Sequence, residues 1–270
     1  MSNYEVPALS IVFMAVSAVL SVVIPVALLI YFYKKHKAPM ASFFVGCGVM
    51  LVFALILESL VHQAVFSTKA GETILNTTWM YALYGGLMAG LFEETGRFAA
   101  FKTILRKYRD KDSTALMYGA GHGGFEAIVL LGVTMIGNIA LAVFINVGTL
   151  EPIQDLLPAE AAGEFDQLIS TLTGTAPYMY LTGIVERLFA IAMQISFSVI
   201  VWFAAKDNGS FALYPLAILL HAVVDGITVV ASKSGINMWA VEAIIGLMAV
   251  IVVILAKVVW RKHTSDTGVE

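Results

Sequence analysis

TWMYALYGGLMAGLFEETGRFAAFKTIL, residues 78–105, is long enough to cross a bilayer, yet it carries Glu93, Glu94 and Arg97 in its interior. A membrane span needs about 20 mostly apolar residues. An ionisable side chain near the bilayer centre costs about 2.5–3.5 kcal/mol on insertion scales. The same conflict recurs along the chain. His122 and Glu126 interrupt a second apolar run, Glu186 and Arg187 a third, His221 and Asp225 a fourth. So many penalties imply a use. The spacings Glu-Glu-x-x-Arg, His-x-x-x-Glu and His-x-x-x-Asp suit catalysis better than transport.

Working outward, apolar runs at 8–33, 40–66, 78–105, 114–145, 178–205, 210–231 and 237–260 predict seven transmembrane helices in one all-α, polytopic domain covering 1–270. KKHKAP, STKAGET, RKYRDKD, KDNGS and SKSG punctuate them. Of the 270 residues 59% are hydrophobic and 13% charged, about half the charged fraction of a soluble domain. The net charge of −3 argues against nucleic acid as a partner. The lipid bilayer is the partner that composition implies. One cysteine, Cys47, excludes an internal disulfide and a cysteine-based metal site; it is expected to be a small buried residue. MSNYEVPA lacks the positive region of a signal peptide, so the first run is expected to stay as an anchor.

The loops then orient the chain. Lys34, Lys35, Lys37, Arg106, Lys107, Arg109, Lys111, Lys206, Arg261 and Lys262 fall on one side; Lys69 and Lys233 fall on the other. The positive-inside rule predicts an outer N-terminus and a cytoplasmic C-terminus, in a prokaryotic plasma membrane. The loop 146–177, with Glu151, Asp155, Glu160, Glu164 and Asp166, fits the outer face and is expected to hold a short amphipathic helix.

At 1.5 Å per residue from the cytoplasmic ends, Glu93 and Glu94 lie roughly 18–20 Å deep, His122 and Glu126 roughly 14–20 Å, and His221 and Asp225 roughly 16–22 Å. Three helices thus bring polar residues to one level. Residues four apart share a face, which couples Glu93 with Arg97, His122 with Glu126, and His221 with Asp225. Glu94 points about 100° from Glu93, a different job. Arg97 is expected to pair with a carboxylate, and Glu186 with Arg187 to form ion pairs of structural rank. Glu58 and His62 are expected to be interfacial. The glycines flanking the motifs suit tight helix packing or room for substrate.

Carboxylates and imidazoles together activate water in two ways. A Glu can act as general base while His donates to the oxyanion. Alternatively, Glu93, His122, Glu126, His221 and Asp225 can bind one divalent metal such as zinc. No HExxH or GxSxG is present. Both schemes stay open at this point. A cation- or proton-coupled transporter using the same carboxylates is the rival reading.

LFEETGRFAAF, GAGHGGFEA and LLHAVVDG resemble the three motifs of the YhfC family of intramembrane proteases, within the group that contains the CAAX-prenyl, CPBP and PrsW-type proteases. ERLFA and SFSVIVWFA extend the likeness over most of the chain. The resemblance implies hydrolysis of a membrane-embedded or membrane-proximal peptide. It implies that Glu93 activates water and that His221 stabilises the oxyanion. Glu126 matches the second motif in its Glu form, with His122 where many relatives carry Phe.

Overall fold

The computed structural model describes residues 5–150, 155–158, 161–207 and 209–265. Glu151 and Glu160 lie outside the described residues. No strand occurs among the described residues. The helices are α1 (Ala8–His36), α2 (Met40–Phe66), α3 (Lys69–Asn76), α4 (Thr78–Lys102), α5 (Ser113–Val147), α6 (Ala162–Gly174), α7 (Pro177–Ala205), α8 (Leu213–Lys233) and α9 (Met238–Ser265). Two of them change winding without breaking. The stretch Met50–Glu58 of α2 and Ile128–Val133 of α5 are π-helical.

Six of these, α1, α2, α5, α7, α8 and α9, are long and apolar enough to cross a membrane. The seventh expected span, α4, has 25 residues and therefore the length. Its glutamates and arginine lower its apolar content below that of the other six. Outward-facing side chains are Val, Leu and Ile along α1, α2 and α9, while Glu93, Glu94, Arg97, His122 and His221 are buried. This inside-out distribution needs lipid around it: water would leave the apolar faces uncompensated, whereas lipid leaves only the buried polar groups to satisfy. The chain is a polytopic all-α membrane protein.

The chain forms two compact units. One takes the described residues of 1–24 and 127–187. Val6, Met14, Ala142, Ile145, Ile169 and Leu172 make its core. The amphipathic helix expected in the outer loop is α6, which buries Ile169 and Leu172 and leaves Glu164 in its first turn. Asn146 ties the N-terminal segment down, accepting from the Val6 amide at 2.7 Å and donating to the Val6 carbonyl at 2.9 Å. Glu186 and Arg187 pair with each other here, so a sequence neighbour supplies the ion pair expected of them.

The other unit, 25–126 and the described residues of 188–270, carries the three motifs. Its aromatic core includes Phe101, Tyr118, Trp202 and Phe203. Arg109 donates to Asp207 at 2.5 Å and joins two loops; the guanidinium holds the Asp207 carboxyl below the usual carboxylate range. Helix α4 crosses α8 so closely that a Cβ on Gly86 would sit 2.3 Å from the Ala222 carbonyl oxygen, and one on Gly90 would sit 2.6 Å from that of Ile218. Helix α5 is clamped likewise. A Cβ on Gly121 would meet the Phe43 carbonyl oxygen at 2.0 Å, and one on Gly123 would meet Gln194 Cβ at 2.9 Å. Gly86, Gly90, Gly121 and Gly123 therefore serve close packing. Small residues let backbones approach in this way. Cys47 is half-buried and donates to the Gly121 carbonyl at 3.3 Å, at the same crossing.

Candidate functional site

Close crossings of α4 with α8, and of α5 with α2 and α7, bring the motif residues together. Arg97 donates to both carboxylate oxygens of Glu94. Its partner is thus three residues back, where the four-residue spacing had pointed to Glu93. Its second terminal nitrogen donates to Gln194. Arg97 and Glu94 are both 0% exposed. One terminal nitrogen thus covers both Glu94 oxygens while the other reaches Gln194, and these charge-assisted bonds make such a buried pair tolerable.

Glu94 also sets the state of His221. Its Oε1 lies 2.7 Å from His221 Nδ1. A carboxylate already held by Arg97 can only accept there, so the hydrogen-bond network assigns the proton to Nδ1. Nε2 faces Asp225 Oδ2 at 3.5 Å and Glu93 Oε2 at 3.9 Å. Phe197 stacks on the ring at 4.7 Å and fixes its plane.

Glu93 is held differently. Its Oε2 accepts from His122 Nε2 at 2.9 Å and from Gln194 Nε2 at 2.9 Å. No hydrogen bond among the described residues engages its Oε1. Gln194 Nε2 also donates to Glu126 Oε2 at 3.0 Å. His122 is fully buried, and its Nδ1 has no hydrogen-bond partner among the described residues. Asp225 is the open member, with its side chain 39% exposed. The six motif residues proposed from the sequence, Glu93, Glu94, His122, Glu126, His221 and Asp225, thus belong to one network with Arg97. Glu186 and Arg187 belong to the other unit.

Two residues change rank. Glu58 was expected at the interface; it is 8% exposed and lies in electrostatic range of Glu93, His221 and Asp225. His62 Nε2 meets Glu58 at 3.1 Å, and His62 Nδ1 meets the Tyr84 hydroxyl at 2.9 Å. Glu58 closes the π-helical stretch of α2. Gln194 was missed outright. It is neutral, stands alone in an apolar run, and matches no motif; its only signal is that a buried amide requires partners.

These donors suit a divalent cation in kind. An imidazole nitrogen oriented by a carboxylate behind it, facing two further carboxylates, is the arrangement of a ligand histidine with its supporting partner. Contacts of 3.5 and 3.9 Å are too long for hydrogen bonds, while ligands sharing one zinc at about 2.0–2.2 Å stand a little over 3 Å apart. As placed, no three His, Cys, Asp or Glu among the described residues are gathered tightly enough to hold an ion. By donor type His221, Glu93 and Asp225 suit a divalent metal.

The model of the YhfC intramembrane metalloprotease family matches residues 20–245. The chain belongs to the YhfC family. It is 36% identical to the uncharacterized membrane protein YhfC of Bacillus subtilis (strain 168), over 245 residues, 89% of this chain and 92% of that relative. No solved structure matches it. All three motif segments fall inside the YhfC match.

Proposed function

We propose that this YhfC-family member hydrolyses a peptide bond of a membrane-embedded or membrane-proximal substrate. The observation that carries the reading is the state of Glu93: its Oε2 is anchored by His122 and Gln194, its Oε1 enters no hydrogen bond among the described residues, and His221 stands beside it. A carboxylate held by one oxygen presents the other to water in a defined direction. Glu93 takes a proton from that water through Oε1 as the water oxygen attacks the peptide carbonyl. The same proton passes to the departing amide nitrogen when the C–N bond breaks. Glu94 and Arg97 keep His221 in the Nδ1–H form, and Asp225 lines the exposed side. His221, Glu93 and Asp225 are the residues that would hold a divalent metal. When bound, such an ion acidifies water and polarises the carbonyl.

Cleavage of a quenched-fluorescent transmembrane peptide by the protein reconstituted in liposomes tests the reading. Peptide cut within its apolar segment is the expected result. An intact peptide together with cation or proton flux through the same liposomes would establish the transporter instead.

We further propose an outer N-terminus and a cytoplasmic C-terminus, on the strength of the basic residues gathered in one set of loops. Single cysteines replacing Thr149 and Ser265, in a Cys47→Ala background, should differ in intact cells: an impermeant maleimide labels the first and spares the second. The reverse pattern would invert the topology.

A further inference from the structure

Gln194 sits on α7, outside all three motifs, yet its amide bonds residues of the first and the second. It is 5% exposed. Its Oε1 accepts from Arg97, and its Nε2 donates to Glu93 Oε2 at 2.9 Å and to Glu126 Oε2 at 3.0 Å. Chemistry fixes the sense of the amide. A guanidinium has only donors, so the oxygen must face Arg97; the two carboxylates then take both N–H groups. The flipped amide would set donors against donors and an oxygen against two carboxylates. The backbone makes room for this placement at Gly123, where a Cβ would lie 2.9 Å from Gln194 Cβ and 3.1 Å from its Cγ. Contacts then run in a ring: Glu93 to Gln194, to Arg97, to Glu94, to His221, and back to Glu93 across 3.9 Å.

We propose that Gln194 is a positioning residue for the hydrolysis, pinning Glu93 through Oε2 so that Oε1 meets the water, and that Glu126 acts through this amide. The inference rests on the hydrolytic reading above. It gives Glu126 a role distinct from that of a base: its carboxylate occupies the second N–H of Gln194 and so holds the first on Glu93. It also gives α7, which contributes no motif, a part in the site.

Two substitutions separate this role from simple support of Arg97. Gln194→Met fills similar space and removes all three hydrogen bonds. Gln194→Glu keeps an oxygen for Arg97, removes both N–H groups and adds a third carboxylate beside Glu93 and Glu126. With the quenched transmembrane peptide in liposomes, both variants should lose about 10–100-fold in kcat, the range seen when groups that orient a site's ligands are removed, with KM unchanged. A second readout needs neither substrate nor variant of Gln194. In protein labelled with 15N-glutamine, both Gln194 amide protons should resonate downfield of free glutamine, and one should move back in Glu126→Leu. A Gln194→Glu enzyme as active as wild type, or one rescued relative to Gln194→Met, would reduce Gln194 to a support for Arg97 and overturn the proposal. Amide protons at the free-glutamine position would overturn it too. Absence of cleavage by the wild type would sink the hydrolytic reading itself, a separate outcome.

Discussion

Arg97→Met should lower the stability of the protein by about 3–5 kcal/mol, the cost of breaking a buried ion pair by removing one partner. Arg97 and Glu94 are fully buried, and the guanidinium covers both oxygens of the carboxylate. Methionine fills much of the volume but leaves Glu94 facing His221 Nδ1 alone and strips the acceptor bond from Gln194. An isolated charge in that position must bind a proton or draw in water. Arg97→Lys should recover only part of the loss, because lysine lacks the second terminal nitrogen that Arg97 places on Gln194. Replacing both partners, Arg97→Met with Glu94→Gln, should cost less than Arg97→Met alone, since no bare charge remains. Unfolding in increasing dodecyl sulfate, followed by circular dichroism, measures all three. A single Arg97→Met variant as stable as wild type would show that the buried pair within α4 and its bond to Gln194 on α7 contribute no stability.

Glu93→Gln should reduce peptide hydrolysis by about 10²–10⁴-fold, the contribution of a positioned general base. The substitution is nearly isosteric. The new amide oxygen can still accept from His122 and Gln194, so the helices should stay in place and the unfolding midpoint should shift little. The capacity of the second oxygen to take a proton from water disappears. Glutamine is also a poorer metal ligand than glutamate, so the loss holds whether or not an ion assists. Residual activity equal to wild type would exclude Glu93 as the base under either scheme.

The helices were legible because hydropathy and loop charge are local signals. The run 40–66 returns as Met40–Phe66, and 114–145 as Ser113–Val147. The family was legible in three short motifs for the same reason. Pairing was less so. A helical wheel puts Glu93 and Arg97 on one face, but the arginine fork turns to Glu94, one turn back on the helix, because Glu93 is claimed by donors on α5 and α7. Helix α3 escaped notice within a polar connection: its eight residues, started by the Thr68 cap whose hydroxyl accepts from Gly71 at 3.1 Å, are fewer than the window over which a helical period is read. Glu58 was expected at the interface because position along a span says nothing of which groups neighbouring helices bring beside it; it is buried, within electrostatic range of Glu93 and His221. Gln194 was invisible because an uncharged residue in an apolar run carries no penalty large enough to demand explanation until its neighbours are known.

The central claim is that water, activated at Glu93, cleaves a peptide bond inside the membrane. Its most direct test is mass spectrometry of the products formed from the transmembrane peptide in liposomes prepared in 18O-water, with wild type and Glu93→Gln side by side. Two fragments are expected from the wild type, the new carboxyl group carrying one 18O from a single turnover, and no fragments above background from Glu93→Gln. Fragments formed equally by both proteins, or an intact peptide with folded wild type, would contradict it.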